Sequence, residues 1–167
     1  QEYLSTFELL ARVASRVLKA GGSVVTFVPH AHLPKILQVM TEYLRYHWMF
    51  AYVQPGASAR VNARHVMVGW KPILWLSRGE PNIKHYVYDV VYSARRDKEH
   101  HEWGQSEDGV ATLVERFSDM GETVLDPYVG GGTTAVAAVR LGRRFIGVDC
   151  DEHAIAETLR RLAGLGK

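Results

Sequence analysis

Apolar positions along residues 4–19 (Leu4, Phe7, Leu10, Ala11, Ala14, Val17 and Leu18) recur at helical spacing and predict an amphipathic helix with one packed stripe. Gly21-Gly22 ends that helix, and the continuous run Ser23 to Val28 predicts a buried strand. Pro34 suits the first turn of a second helix, whose packed face is Ile36, Leu37, Val39, Met40, Tyr43 and Leu44. Trp48 to Val53 again has the composition of a strand. From Gln54 to Arg64 the pattern breaks into a polar, basic loop carrying Pro55, Gly56, Ser58, Arg60, Asn62 and Arg64. Val66 to Leu76 returns to strand-like character. Arg78 to Glu102 is charged and loop-rich around a short strand at Tyr86 to Val91.

The last third is more regular. Ser106 is placed to cap a helix with Val110, Leu113, Val114 and Phe117 on its inner face. Gly121 closes it, and Thr123 to Leu125 is a short strand running into the turn Asp126 to Thr134. Ala135 to Leu141 is a helix stopped at Gly142, Phe145 to Val148 is the next strand, and a final helix starts at Asp151 with Ile155, Leu159 and Leu162. Strand, helix and strand in so few residues require a parallel pair with a crossover helix. The fold class is therefore α/β, a sheet with helices on both faces. No repeat or low-complexity tract interrupts it.

A chain of 167 residues with 47% hydrophobic and 23% charged residues fits one domain with a real core. A formal charge of +2 permits nucleic acid as a partner without requiring it. The single cysteine, Cys150, rules out a disulfide framework within the chain and a cysteine-based metal knuckle, and points to a reducing compartment such as the cytoplasm. No apolar run is long enough to span a bilayer, so no membrane is expected as a partner. His30 with His32, and His100 with His101 and Glu102, do not amount to a convergent metal set, so no metal is assigned.

Chemistry concentrates in the turn after the strand at 123–125. In open α/β sheets ligands bind beyond the carboxyl ends of the strands, and glycines there let backbone approach the ligand. Gly130 to Ala135 matches the dinucleotide pattern G-x-G-x-x-G/A, although triple-glycine turns also occur for structural reasons alone. Asp126 decides between ligands. A pyrophosphate at a helix N-terminus needs an uncompensated positive field, and a carboxylate at the strand tip opposes it. The same carboxylate suits the ammonium group of S-adenosylmethionine. Asp149, at the tip of the next strand, stands where an acid meets ribose hydroxyls. Asp151 is placed to cap the last helix, which leaves Asp149 for the ligand.

These segments resemble the amino-methylating DNA methyltransferases that modify adenine N6 or cytosine N4. Val124-Leu125-Asp126-Pro127-Tyr128-Val129-Gly130-Gly131-Gly132-Thr133-Thr134 is similar to their cofactor motif D-P-F-x-G-S-G-T-T, and Arg143 to Asp149 to the strand and ribose-binding acid that follow. His101-Glu102-Trp103-Gly104-Gln105-Ser106 resembles the family segment that closes over the methionine part of the cofactor. The resemblance covers 100–163 most closely and 1–99 more loosely. It implies a Rossmann-like methyltransferase sheet in a single domain, with a substrate-side half at 1–99 and a cofactor-binding half at 100–167. The implied cofactor is S-adenosylmethionine, held by Gln105, Ser106, Asp126, Tyr128, Gly130, Gly132, Thr133, Thr134, Asp149 and the backbone of Cys150.

The family's catalytic motif, D-P-P-Y or S-P-P-Y, precedes the cofactor motif in this permuted order and is absent here. Asp126-Pro127-Tyr128 lacks the second proline and belongs to the cofactor turn, so no residue is assigned catalysis. By resemblance, a strand, a helix and the catalytic strand end, roughly 30 residues or more, belong before Gln1 or come from another chain. That strand would lie between those at 123–125 and 23–28. DNA is the implied partner, with Arg60, Arg64, Arg95, Arg96 and Lys98 as candidate phosphate contacts, although charged loops are usually just solvated. His30 is a candidate for the base pocket, and Trp48, Trp70 and Trp75 for core or pocket wall. Adenine N6 is favoured over cytosine N4 by the family's general habit. Methylation of RNA or a smaller substrate, and a non-catalytic nucleic-acid-binding relic of the fold, are the competing readings.

Overall fold

The computed structural model describes residues 2–55, 59–61, 65–83, 85–93 and 106–166, with the side chains of Glu2 and of 59–61 excepted. The chain divides into two compact units, residues 1–53 with 58–91, and residues 54–57 with 92–167.

In the first unit, α1 (Glu2–Val17) turns Phe7, Ala11 and Ala14 inward, a four-then-three spacing that keeps them on one face. Val17, assigned to that stripe from spacing, lies instead on the exposed side. The strand β1 (Ser23–Phe27) follows, then a single 3-10 turn at His30–His32 and α2 (Leu33–Thr41), with Pro34 in its first turn. Ile36 and Met40 of α2 are fully buried against α1, together with Val28, Leu44, Leu74 and Leu76. Each such side chain contributes roughly 1.5–3 kcal/mol relative to leaving it in water.

The strands β2 (Arg45–Val53), β5 (Trp70–Ser77) and β6 (Val90–Tyr92) complete a four-stranded sheet in the order β1-β5-β2-β6. Both β1 and β2 run antiparallel to β5. β1 is half-buried along its whole length rather than buried, because it stands at the sheet edge. Part of the loop expected at 54–64 is structured. β3 (Ala59–Val61) pairs antiparallel with β4 (Val66–Val68), a hairpin whose three-residue strands are too short to show alternation. Trp48 also departs from expectation. It is 54% exposed, beside an irregularity in register between Tyr46 and Trp48, and its indole N–H donates to Asp89 Oδ2 at 3.3 Å. Trp75 and Trp70 are half-buried.

The second unit contains α3 (Glu107–Phe117), β7 (Thr123–Asp126), α4 (Thr133–Arg140), β8 (Arg144–Gly147) and α5 (Glu152–Ala163). β7 and β8 are parallel and in register from Thr123↔Arg144 to Asp126↔Gly147, with α4 as the crossover between them. Val124 and Phe145 pack one face of this pair against Val110 and Val114 of α3 and Ala137 and Ala138 of α4. Four consecutive α4 residues, Ala135 to Ala138, are buried, so the helix is covered on several sides, and its alanines let neighbours come close. Asp151 caps α5, its side chain accepting from His153 N at 2.9 Å. Among the described residues no helix is long and apolar enough to cross a membrane.

Candidate functional site

The carboxyl ends of β7 and β8 carry the two acids singled out in the sequence. Pairing continues past the strands, with Val148 N donating to Asp126 O at 2.9 Å and Val129 N to Val148 O at 3.0 Å. This holds the turn after β7 against the loop after β8. Asp126 bends its side chain back onto the turn, Oδ1 accepting from Tyr128 N at 3.0 Å. Asp149 reaches the same turn from the neighbouring strand, Oδ2 accepting from Gly130 N at 2.8 Å and Oδ1 from Asp151 N at 3.0 Å. Two carboxylates from adjacent parallel strand tips therefore address the backbone of one glycine turn.

Those N–H groups favour the ionised form. The Asp149 carboxyl is held below its ordinary value near 3.8, first by the backbone N–H of Asp151 and then by that of Gly130. Asp149 is thus not reserved wholly for a ligand, as the sequence suggested; both oxygens already accept from backbone. Each oxygen has a further lone pair, so hydroxyl donors from a ligand remain compatible with these bonds.

Glycine is required at two positions of the turn. Gly130 has φ +50° and Gly132, the residue capping α4, has φ +80°, both in the left-handed region. At Gly132 a Cβ would also lie 2.7 Å from Thr158 Oγ1 and 3.0 Å from Thr158 Cα on α5. Thr158 in turn donates its hydroxyl to Gly130 O at 3.0 Å. The buried underside of the turn is thereby fitted to α5.

Thr133 and Thr134 open α4 and are half-buried, while Tyr128 and Cys150 are exposed at the turn and at the loop after β8. Ser106 stands as the residue before α3 and is 3% exposed, but its hydroxyl makes no capping hydrogen bond. Gln105, Arg64, Arg95, Arg96, Lys98 and the segment His101 to Gly104 lie outside the described residues, as does the side chain of Arg60. In the other unit, His30 meets the Trp70 ring edge-on at 4.7 Å between centroids. With Val66, Met67 and Val68 they line a mostly apolar hollow of about 250 Å³. Among the described residues no group of three or more histidines, cysteines or acids could hold a metal.

Three residues at the turn were not singled out in the sequence. Besides Thr158, the Arg161 guanidinium on α5 bonds Gly131 O and also Glu107 in the first turn of α3. The only sequence signal is a polar pair on a helix whose inward positions are otherwise apolar.

The family model for N6/N4 methyltransferases, described as DNA methylase, matches residues 1–160. The chain belongs to that family. It is 25% identical over 171 residues to the type II methyltransferase M2.DpnII of Streptococcus pneumoniae, covering 90% of this chain and 64% of that protein. The chain thus spans less than two thirds of this relative's length. The fold is that of DNA methyltransferases. The crystal structure of the M1.HpyAVI–SAM complex superposes with a TM-score of 0.82 at 20% identity, covering 96% of this chain and 83% of that one. The cytosine-N4-specific PvuII DNA methyltransferase gives 0.80 at 19% identity, covering 96% and 70%.

Proposed function

We propose that this family member seats S-adenosylmethionine at the β7–β8 turn and serves transfer of its methyl group to an exocyclic amine of a DNA base in the cytoplasm, with N6 of adenine the favoured target. The observation that carries the reading is the convergence of Asp126 and Asp149 on the backbone amides of one glycine turn. A dinucleotide pyrophosphate would meet an uncompensated carboxylate at Asp126, whereas the cofactor's ammonium group is attracted to it. Asp149 accepts from ribose hydroxyls, a pair of charge-assisted hydrogen bonds. Gly130 leaves the turn without a side chain where a ligand must approach the backbone, Gly132 lets the turn close onto α5, and Thr133, Thr134, Tyr128 and Ser106 supply polar groups for the ligand. The backbone at Cys150 is positioned to meet the adenine.

When bound, the cofactor supplies an electrophilic methyl on a sulfonium centre. The contribution of these residues is to hold that group in place, which lowers the barrier through positioning. An exocyclic amine is a weak nucleophile because its lone pair is delocalised into the ring, so a second set of groups must orient it after the base leaves the duplex. The 167 residues hold no D-P-P-Y to do this. The aromatic hollow at His30 and Trp70 suits stacking of a planar base. Phosphate contacts fall to Arg60, Arg64, Arg95 and Arg96.

Methyl-labelled S-adenosylmethionine incubated with the protein and DNA, followed by digestion to nucleosides, tests the reading. Label is expected in N6-methyladenine. Label in N4-methylcytosine overturns the choice of target, and label in RNA but not DNA overturns the substrate. Cofactor binding without any transfer overturns the activity.

A further inference from the structure

The glycine turn is held from below by α5. Thr158 Oγ1 donates to Gly130 O at 3.0 Å, and the Arg161 guanidinium donates through one nitrogen to Gly131 O and through another to Glu107. Glu107 receives Arg140 of α4 on its other oxygen at 2.5 Å. Arg161 is only 7% exposed at its side chain, whereas Arg140 is 59% exposed. A charge withdrawn that far from water is costly unless paired and hydrogen-bonded, and Arg161 is both. Its planar fork lets one residue bond a carbonyl and a carboxylate at once, which a lysine ammonium on a single flexible stem does less well.

The consequence is geometric. Gly130 has its N–H on Asp149 and its carbonyl on Thr158, so its peptide groups are fixed from the ligand side and from α5. Arg161 extends the same support to Gly131 and ties it to the first turn of α3, next to Ser106. We propose that Arg161, with Thr158, is a positioning residue for the cofactor site, locking the glycine turn and the start of α3 into one unit, with Glu107 as its anchor. Neither side chain meets the cofactor; both act through the turn's carbonyls. The proposal rests on the turn being the seat of S-adenosylmethionine.

The test compares Arg161→Met, Arg161→Lys, Glu107→Gln, the Arg161→Met/Glu107→Gln double variant, Thr158→Val and Thr158→Ser by calorimetric titration with S-adenosylmethionine and by amide hydrogen exchange. Arg161→Met is expected to weaken binding about 10-fold, with faster exchange at residues 130–134 and unchanged exchange in the α3–α4 core. Arg161→Lys is expected to remain impaired. The double variant binds no more weakly than Arg161→Met alone, because Glu107 reaches the turn only through Arg161; independent damage would multiply the two single losses. Thr158→Val weakens binding severalfold and Thr158→Ser restores it, a comparison that stands even if Arg161→Met fails to fold. Affinities within twofold of the parent in folded Arg161→Met and Thr158→Val overturn the proposal, as does accelerated exchange spread equally through the core. Were the parent protein not to bind the cofactor, the reading of the site would fall, and the exchange comparison alone would still decide whether Arg161 locks the turn.

Discussion

Asp149→Ala is expected to weaken S-adenosylmethionine binding about 10- to 100-fold, a loss of about 1.5–3 kcal/mol for charge-assisted hydrogen bonds to one carboxylate. The carboxylate has two tasks, and alanine removes both. It withdraws the acceptor for ribose hydroxyls, and it leaves Gly130 N and Asp151 N without the oxygen that now receives them. Asp149→Asn separates the tasks. The amide oxygen can still accept one of the two backbone bonds, but the NH₂ cannot accept the other, so asparagine should fall between alanine and the parent. Calorimetric affinity unchanged in a folded Asp149→Ala variant would contradict the assignment. Because the folded carboxyl is held below its ordinary value, its contribution is fully present above the unfolded value, near 3.8, and disappears only as pH falls through the lower folded value. Cofactor affinity should therefore show no transition from Asp149 between about pH 5 and 8, on the ordinary range of an unperturbed aspartate.

Gly132→Ala should be the most damaging small substitution in the turn. Alanine at φ +80° carries a left-handed penalty of about 1–2 kcal/mol. Its Cβ would also press on Thr158 at 2.7 Å from Oγ1 and 3.0 Å from Cα, and the latter is backbone that cannot rotate away. Overpacking of this kind costs about 1–3 kcal/mol. The sum, about 2–5 kcal/mol, corresponds to a fall in Tm of about 5–15 °C for a chain of this size. Relief comes only by moving α5 or the turn, so cofactor binding should fall with stability. A variant with the parent's Tm in a thermal melt would show that the close approach of Gly132 to Thr158 is wrong. Shortening Thr158 to alanine removes the Oγ1 contact but not the one to Cα, so Gly132→Ala/Thr158→Ala should recover only part of the loss.

The second unit was the more legible in sequence, for a physical reason. Its strands and helices are short, local and separated by glycines, so the pattern Thr123 to Asp149 reads in order with few alternatives. Asp151 as the cap of α5 and Gly132 at the turn were visible because capping and left-handed backbone depend on residues close in sequence. The hairpin at β3 and β4 was hidden because Arg60, Asn62 and Arg64 dominate its polarity. Trp48 has the same parity as the buried Phe50 and Tyr52, yet it is exposed beside the irregular register of β2, a displacement that alternation cannot reveal. Val17 sat one position off the face that packs. At the site, the double use of Asp149 and the support from Thr158 and Arg161 were unreadable because they join residues 19 to 54 positions apart. Pairing of β7 with β8 brings Asp149 to the turn, and only the packing of α5 against α4 and the turn brings Thr158 and Arg161 there.

The most direct measurement is a crystal structure of the protein grown with S-adenosylmethionine. The expected result is a ligand whose ribose hydroxyls lie within hydrogen-bond distance of the Asp149 carboxylate, whose ammonium group faces Asp126, and whose atoms touch the backbone of Gly130 to Gly132. A ligand bound elsewhere, or one placing no donor on either acid, would contradict the account.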